Sequence, residues 1–328
     1  MKKYNLLLPI AGKAQRFIDA GYTMPKPLIL AKNKHVIDWA LDSVDVSECN
    51  LIFMVRVDHI YNFSIDKILK QKFGEDITII KISKVTRGAL ETCTLAREYI
   101  DNDLPLIIYT PDVHFGPTFN PNTIDSSADG FLLTFTANSP DHSYSDYGSN
   151  GIVTNVVEKE VISKEANVGL YHFGSGKLFL KYADEVIENN MLVKNEFYIA
   201  PMYNLMIRDG LKITAANTEK MHVLGTPHQF EFFVDRVINR FGDKPIALAS
   251  DHSGYEIKKE CIKILKTLDI SYIDTGTFTD KACDYPDYVL QVTKLIKSNE
   301  CSHGISFCRS GQGANITANK VKGIISAP

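Results

Sequence analysis

The sequence lacks the features that mark several large classes of protein. Its six cysteines include no CxxC pair and its nine histidines form no HxxxH pattern, which argues against a disulfide scaffold or a zinc module and favours a reducing cytoplasm. No apolar run approaches the roughly 20 residues of a membrane helix, and residues 6–8 are too few for a signal-peptide core. The net charge of −3 argues against broad nucleic-acid binding. We therefore expect neither a membrane nor a nucleic-acid partner.

Short apolar runs alternate with segments of helical periodicity in the first two thirds of the chain. The apolar runs cover residues 5–10, 51–55, 77–80, 104–109 and 131–136. Helical spacing covers residues 35–43 and 90–99, and a further helix is predicted from about 227 to 239. This alternation predicts a mainly parallel sheet covered by helices. The polar segment 141–151 is predicted to be a surface loop over a site.

The pattern restarts after a join punctuated by glycine and proline at residues 240–245. Strands are predicted at 246–249, 271–274 and 304–307, helices at 255–268, 287–298 and 314–320, and a last short run at 323–326. A length of 328 residues is itself typical of about two domains. The sequence therefore predicts an α/β domain at residues 1–238, a linker at 239–245, and a smaller α/β domain at 246–328.

The first candidate site follows the first predicted strand. Gly12 opens a loop whose backbone N–H groups could bind a phosphate, and Arg16 and Lys26 supply cations for a triphosphate. Lys26 stands between Pro25 and Pro27, which stiffen its backbone. A Gly-x-x-x-Arg motif alone is weak evidence for a nucleotide site. The spacing from Arg16 to Pro25-Lys26-Pro27 favours such a site over a plain strand-to-helix turn.

These residues resemble the sugar-phosphate nucleotidyltransferases, the pyrophosphorylases that make nucleotide sugars. The resemblance covers about the first 235 residues and implies a Rossmann-like fold with a mixed, mainly parallel sheet. The family signature Gly-Gly-x-Gly-x-Arg reads Ala11-Gly12-Lys13-Ala14-Gln15-Arg16 in this chain. Alanine at two glycine positions predicts a stiffer loop.

The same resemblance assigns roles to residues further along the chain. It implies a nucleobase contact at Gly88, a magnesium ligand at Asp112, substrate contacts at Glu158 and Lys159, and a sugar-hydroxyl acceptor at Glu196. A second metal-binding aspartate of many family members is Val223 in this chain. Standing alone, the adjacent glutamate and lysine would be typical of a solvated surface pair.

The implied chemistry is nucleotidyl transfer from an NTP to a sugar phosphate with release of pyrophosphate. The attacking phosphate oxygen is already anionic, so the reaction requires positioning and charge neutralisation rather than a general base. Arg16 and Lys26 would stabilise the departing pyrophosphate, Mg²⁺ on Asp112 would bridge the phosphates, and Lys159 would hold the acceptor.

A second candidate site lies at the strand ends of the second predicted domain. Asp251 and His252 follow its first strand, and Cys308 follows its third strand. The next loop opens a helix, whose N-terminal dipole and free N–H groups favour a thiolate and could hold an enediolate oxygen. The loop residues concerned are Ser310, Gly311 and Gly313.

Residues 245–328 resemble the ribose-5-phosphate isomerase B family, which includes the galactose-6-phosphate isomerase subunits. The matching segments are 246–255, 274–277, 284–288, 304–308 and 318–321. The resemblance implies that Cys308 is a proton-transfer thiol, Asp251 a sugar-hydroxyl partner and His252 a phosphate or sugar contact. Members of that family continue for roughly half as much again. We therefore expect an incomplete α/β domain without ribose-5-phosphate isomerisation, and its dimeric relatives make a homodimer plausible.

The leading hypothesis is a cytoplasmic, magnesium-dependent nucleotidyltransferase fused to an isomerase-like module, serving nucleotide-sugar or surface-polysaccharide synthesis. A second hypothesis is a regulatory or binding protein that holds nucleotide and sugar phosphate without turnover. Sugar-phosphate isomerisation as the main activity is a further alternative. A glycosyltransferase is disfavoured because Asp112-Val113-His114 lacks the second aspartate of an Asp-x-Asp metal site.

Overall fold

The computed structural model describes residues 2–235, 244–267 and 270–328. The chain divides into two compact units, Met1–Phe230 and Glu231–Pro328. The predicted domain end at residue 238, most of the predicted linker 239–245, and the last residue of the predicted helix 255–268 lie outside the described residues.

The first unit is built from strands and mostly short helices. Its strands are β1 Tyr4–Pro9, β2 Leu30–Ala31, β3 Lys34–His35, β4 Cys49–Arg56, β5 Thr78–Ile82, β6 Leu106–Tyr109, β7 Val113–Gly116, β8 Gly130–Thr136, β9 Ser143–Tyr147, β10 Val153–Glu158, β11 Glu165–Phe173, β12 Ile213–Asn217 and β13 Lys220–Val223. Its helices are α1 Gln15–Asp19, α2 Val36–Leu41, α3 Val57–Phe63, α4 Ile65–Phe73, α5 Ala89–Thr94, α6 Arg97–Ile100, α7 Gly176–Glu188, α8 Tyr203–Arg208 and α9 Pro227–Phe232.

A mixed sheet forms the centre of this unit. Its strand order is β10-β9-β11-β6-β1-β4-β5, and β8 pairs with both β11 and β12. The neighbours β6, β1, β4 and β5 run parallel, whereas β11 pairs antiparallel with β6, β8 and β9. The predicted α/β class with a mixed sheet is confirmed.

Both faces of the parallel strands are buried, which explains their continuous apolar runs. In β1, Leu6 and Leu8 belong to one hydrophobic cluster and Leu7 to another. In β4, Phe53 joins the first of these clusters and Met54 the second. Successive side chains of a strand point to opposite faces, so helices must cover both sides of the sheet.

The prediction of a surface loop at residues 141–151 is wrong for its central part. Ser143–Tyr147 is strand β9, which pairs antiparallel with β10 and through Tyr144 with β11. Its polar side chains are accommodated by hydrogen bonds, because the Ser145 hydroxyl donates to the Asn167 Oδ1 atom at 2.7 Å. A polar strand whose side chains find partners is easily mistaken for a loop.

One helix prediction also differs from the structure, and a second is observed over its described residues. The segment 90–99 forms two helices, α5 and α6. The Thr94 hydroxyl donates to the Glu91 carbonyl, and backbone hydrogen bonds between residues three apart tighten the end of α5, so the first helix ends there. The helix predicted from about 227 to 239 is observed as α9, Pro227–Phe232, followed by a π-helical turn at residues 233–235, and its residues 236–239 lie outside the described part of the chain.

The second unit is a small parallel sheet between helices. Its elements are β14 Ile246–Ser250, α10 Tyr255–Thr267, β15 Tyr272–Asp274, α11 Tyr285–Lys297, β16 His303–Phe307 and α12 Gln312–Asn319. The strand order is β15-β14-β16, and both pairs are parallel. The predicted run 323–326 is not a strand, but the Asn319 Oδ1 atom accepts a bond from the Ser326 N–H group at 3.0 Å.

A helix must be both long and apolar to cross a membrane. Within residues 2–235, 244–267 and 270–328, no helix combines the length and the apolar character of a membrane span.

Candidate active site

Two adjoining cavities open at the carboxyl ends of β1 and β6, where parallel α/β sheets bind ligands. The first, here called the phosphate cavity, has a volume of about 590 Å³ and is lined by Gly12, Arg16, Lys26, Asp112 and Glu196 among others. The second, here called the base cavity, has a volume of about 470 Å³ and is lined by the turn from Thr86 to Gly88 and by Thr92. Gly12 and Glu196 line both. The fold thus brings together residues spread over more than 180 positions.

The loop after β1 leads directly into α1. Ala14, at one of the two alanine-for-glycine positions, is the N-cap residue of α1 and has a left-handed backbone with φ 51° and ψ 41°. No side chain caps this helix end. Alanine pays a steric penalty in that region that glycine does not, so the loop carries local strain beside Gly12.

Lys26 and Asp112 form an ion pair across the phosphate cavity. The Lys26 Nζ atom lies 3.8 Å from Asp112 Oδ2, and the side chains are 17% and 47% exposed. Burial lowers the pKa of Lys26, and the Asp112 carboxylate partly offsets this effect. The Lys26 ammonium group also lies 5.8 Å from the centre of the Phe17 ring. A lysine ammonium group in this position can bind an anionic ligand in the cavity.

The backbone around Asp112 connects it to the end of β13. The Leu224 N–H group donates to the Asp112 carbonyl at 2.7 Å. Val223 pairs with Val113 in the β7–β13 ribbon and packs against the hydrophobic core. Residue 223, where many sugar-phosphate nucleotidyltransferases have a second metal-binding aspartate, is therefore apolar in this chain. Among the described residues, no group of three or more His, Cys, Asp or Glu could hold a metal ion.

Gly88 is fixed by close backbone packing. It is the N-cap residue of α5, has φ 144°, and a Cβ atom at this position would clash with the backbone of Phe197. The Phe197 N–H group donates to the Arg87 carbonyl at 2.8 Å, and the Leu90 N–H group donates to the Phe197 carbonyl at 3.1 Å. The turn that lines the base cavity is therefore clamped to the segment that follows Glu196.

Glu158 and Lys159 do not form a solvated surface pair. The Glu158 side chain is 7% exposed, and burial raises its pKa to about 7. The Lys159 Nζ atom lies 3.9 Å from Glu158 Oε1, donates to the Asp141 carbonyl at 3.4 Å, and lies 5.5 Å from the centre of the Tyr198 ring. These side chains form a polar site of mixed charge.

Several cationic residues of the base cavity were not predicted from the sequence. Lys13, Arg56 and Lys84 line this cavity together with Arg87. Arg56 is the last residue of β4, and Lys84 follows β5 by two positions. The rule that parallel strands end at the ligand-binding edge applies to these two strands as it does to β1 and β6, and it could have identified both residues.

The ends of β14 and β16 meet in the second unit. The Asp251 N–H group donates to the Phe307 carbonyl at 3.1 Å, and Asp251 Oδ1 accepts from the Gly254 N–H group at 2.9 Å. The exposed His252 ring accepts from the Cys283 N–H group at 3.2 Å. Asp251 and His252 thus lie beside the strand end that precedes Cys308.

The third strand of this unit leads into a glycine-rich turn. Cys308 follows β16, is half-buried, and packs against a cluster containing Ala314. Ser310 is exposed, and Gly311 is the N-cap residue of α12 with φ 75°. Gly313 lies so close to the Tyr285 ring that a Cβ atom there would be 2.6 Å from it. Glycine at 313 is therefore required by packing, a reason independent of any ligand.

Comparison with known proteins separates the two units. Residues 246–328 match the family model described as Ribose/Galactose Isomerase. The chain is 44% identical over 80 residues to a putative sugar phosphate isomerase of Bacillus subtilis strain 168, covering 24% of this chain and 54% of that protein. It is 38% identical over 81 residues to ribose-5-phosphate isomerase B of Escherichia coli K12, covering 25% and 54%. The chain thus spans about half the length of these relatives.

The first unit is similar to solved nucleotidyltransferases. A nucleoside-diphosphate-sugar pyrophosphorylase of Vibrio cholerae RC9 is 25% identical with a TM-score of 0.63, over 70% of this chain and all of that chain. A CTP:phosphocholine cytidylyltransferase of Streptococcus pneumoniae shares the fold at 14% identity with a TM-score of 0.57, over 71% and 98%. Both predicted resemblances are confirmed, one by sequence and the other by structure.

Proposed function

We propose that the first unit transfers a nucleotidyl group from an NTP to a sugar phosphate or a similar phosphorylated acceptor and releases pyrophosphate. The observation that carries this proposal is that Gly12, Arg16, Lys26, Asp112 and Glu196 line one cavity at the strand ends. The adjoining base cavity, with its clamped turn at Gly88, provides space for a nucleobase. The likeness to nucleotide-sugar pyrophosphorylases supports the same chemistry.

In this reaction the chain's own groups bind and neutralise phosphate charge. The N–H groups of the loop from Gly12 to Ala14 face the phosphates, and Arg16 and Lys26 stabilise the charge that develops on the departing pyrophosphate. The acceptor phosphate attacks as an anion, so no residue has to remove a proton. Loss of one such preorganised cation typically costs on the order of 10²–10³ in rate.

The residues present fit a magnesium ion that arrives with the nucleotide. Asp112 is half-exposed, and Mg²⁺ commonly binds one or two carboxylates together with substrate phosphates rather than a protein cage. Asp112 would hold the ion, and the ion would neutralise phosphate charge. Position 223 offers no second carboxylate to the ion, because Val223 is apolar.

The acceptor binds beside Glu158 and Lys159 in this proposal. Lys159 contacts its phosphate, while the carboxyl groups of Glu158 and Glu196 accept bonds from its hydroxyl groups. Glu158 is buried, so it distinguishes acceptors by the hydrogen bonds they supply, because an unpaired buried polar group is costly.

For the second unit we propose binding of a sugar phosphate by Asp251, His252 and the backbone of Ser310 to Gly313, with Cys308 beside the ligand. The match to the isomerase family and the meeting of the β14 and β16 ends support this role. Both units would then serve nucleotide-sugar synthesis in the cytoplasm, as in surface-polysaccharide formation.

Pyrophosphate release tests the proposal when measured with the full chain, Mg²⁺, each of the four common NTPs and a panel of sugar phosphates. We expect one NTP and acceptor pair to give release that requires both substrates. A second candidate, binding without turnover, is favoured by Val223 at the second metal position. Nucleotide-dependent thermal stabilisation without pyrophosphate release would select it. Aldose–ketose conversion that disappears in Cys308→Ser would select an isomerase instead.

A further inference from the structure

Helix α1 carries Arg16 but has little stability of its own. It comprises five residues, Gln15–Asp19, with a strained N-cap at Ala14 and no side-chain cap. Isolated helices of this length are not stable in water, so tertiary contacts must hold it. The position of the Arg16 guanidinium group therefore depends on what packs against α1.

That contact is made by a group of three aromatic rings, here called the aromatic trio. Phe17 is 1% exposed, and its ring lies 5.3 Å from the ring of Tyr22 and 6.2 Å from the ring of Phe230. The Tyr22 and Phe230 rings are 6.0 Å apart, and all three pairs meet edge to face. Such edge-to-face pairs stabilise a structure beyond the effect of the area that they bury. The Phe17 ring also faces the Lys26 ammonium group.

Phe230 comes from α9, which is itself anchored at the phosphate cavity. Thr226 caps this helix, since its Oγ1 atom accepts from the Gln229 N–H group at 3.3 Å, and Pro227 is its first residue. Two residues before Thr226, the Leu224 N–H group is bound to the Asp112 carbonyl. One short segment therefore contacts the Asp112 backbone at one end and, at the other, the ring of Phe17, which follows Arg16 in α1 and faces Lys26.

We propose that Phe230 is a positioning residue for the nucleotide phosphates, setting Arg16 and Lys26 through Phe17 relative to Asp112. This inference rests on the proposed nucleotidyl transfer for its functional meaning. It makes α9 part of the support of the nucleotide site.

Amide hydrogen exchange in the full chain without nucleotide tests whether Phe230 holds α1 in place. The variant Phe230→Leu is compared with Phe179→Leu, a matched control whose fully buried ring lies on α7, 5.1 Å from the Phe173 ring. We expect exchange at residues 17–22 to accelerate roughly tenfold or more in Phe230→Leu only. Equal acceleration in both variants, or none in either, would overturn the inference.

Steady-state kinetics tests the functional part. In Phe230→Leu we expect KM for the NTP to rise roughly tenfold while KM for the acceptor stays near the wild-type value, and Phe179→Leu to change neither. An equal rise in both KM values would reject positioning of the phosphates. A wild-type chain without pyrophosphate release would refute the proposed function, whereas the exchange experiment would still decide whether Phe230 holds α1.

Discussion

Gly88 and the backbone of Phe197 pack so closely that no side chain fits between them, and Gly88 also has a positive φ of 144°. Gly88→Ala must therefore move the Phe197 segment and strain its own backbone. We expect a loss of about 2–4 kcal/mol in the free energy of unfolding together with loss of nucleotide binding. Urea denaturation measures the first effect. The control Gly12→Ala, where a Cβ atom meets nothing within 4 Å, should leave stability nearly unchanged.

A substitution at Ala14 should raise the stability of the protein rather than lower it. Replacement by glycine relieves the left-handed alanine, so Ala14→Gly should stabilise the protein by about 0.5–1 kcal/mol, although Ala→Gly usually destabilises. Thermal denaturation checks the sign. Ala20→Gly is the control at the other end of α1, where φ is −85° and no strain is relieved. A melting temperature lowered equally in both variants would contradict the assignment of strain to Ala14.

Glu158 predicts a pH dependence of stability. Its pKa is raised from 4.5 to about 7 by burial, so the folded state holds a proton that the unfolded state releases. Stability therefore falls as pH rises from about 4.5 to 7, by roughly 3 kcal/mol at about 1.4 kcal/mol per pH unit. Glu158→Gln should equal the wild type near pH 5 and exceed it near pH 8 in urea unfolding. A difference independent of pH would refute this interpretation.

Arg16 and Asp112 should both be needed for pyrophosphate release. Both side chains reach the phosphate cavity, and Arg16 is exposed. Arg16→Ala and Asp112→Asn should therefore reduce pyrophosphate release by on the order of 10²–10³ or more. Arg16→Ala should change the free energy of unfolding by less than about 0.5 kcal/mol because its side chain is exposed, whereas Asp112→Asn also removes the ionic partner of the largely buried Lys26. Turnover at the wild-type rate in either variant would remove that residue from the mechanism.

The buried ion pair of Lys258 should contribute strongly to the stability of the second unit. Its side chain is 1% exposed, and its ammonium group lies 2.5 Å from Asp274 Oδ1 and donates to the Thr277 carbonyl at 2.7 Å. Lys258→Met leaves both acceptors without this donor and should cost about 2–4 kcal/mol, seen as faster amide exchange in β14. Lys259→Met, which breaks the exposed pair with Glu256, should change little. Equal effects would contradict the importance of burial.

Local chemistry made much of the fold predictable from the sequence. Continuous apolar runs such as Leu6–Leu8 require burial on both faces, and that requirement alone indicates a parallel sheet between helices. The strand-end rule placed Cys308 correctly after β16, and Asp112, which the resemblance identified, follows the end of β6. The family resemblances then gave their expected roles.

The features that the sequence did not predict depend on contacts between residues that are distant along the chain. Ser143–Tyr147 is a strand because buried partners such as Asn167 satisfy its polar side chains. The near-neutral pKa of Glu158 arises mainly from burial by the surrounding chain. No local pattern signals that Phe230 meets Phe17 across more than 200 residues.

The most direct test of the central claim is a crystal of the full chain soaked with an NTP and Mg²⁺. We predict electron density for a triphosphate along the loop from Gly12 to Ala14, in contact with the Arg16 and Lys26 side chains and near Asp112. A nucleotide bound elsewhere, or none bound while both cations point into solvent, would contradict the account.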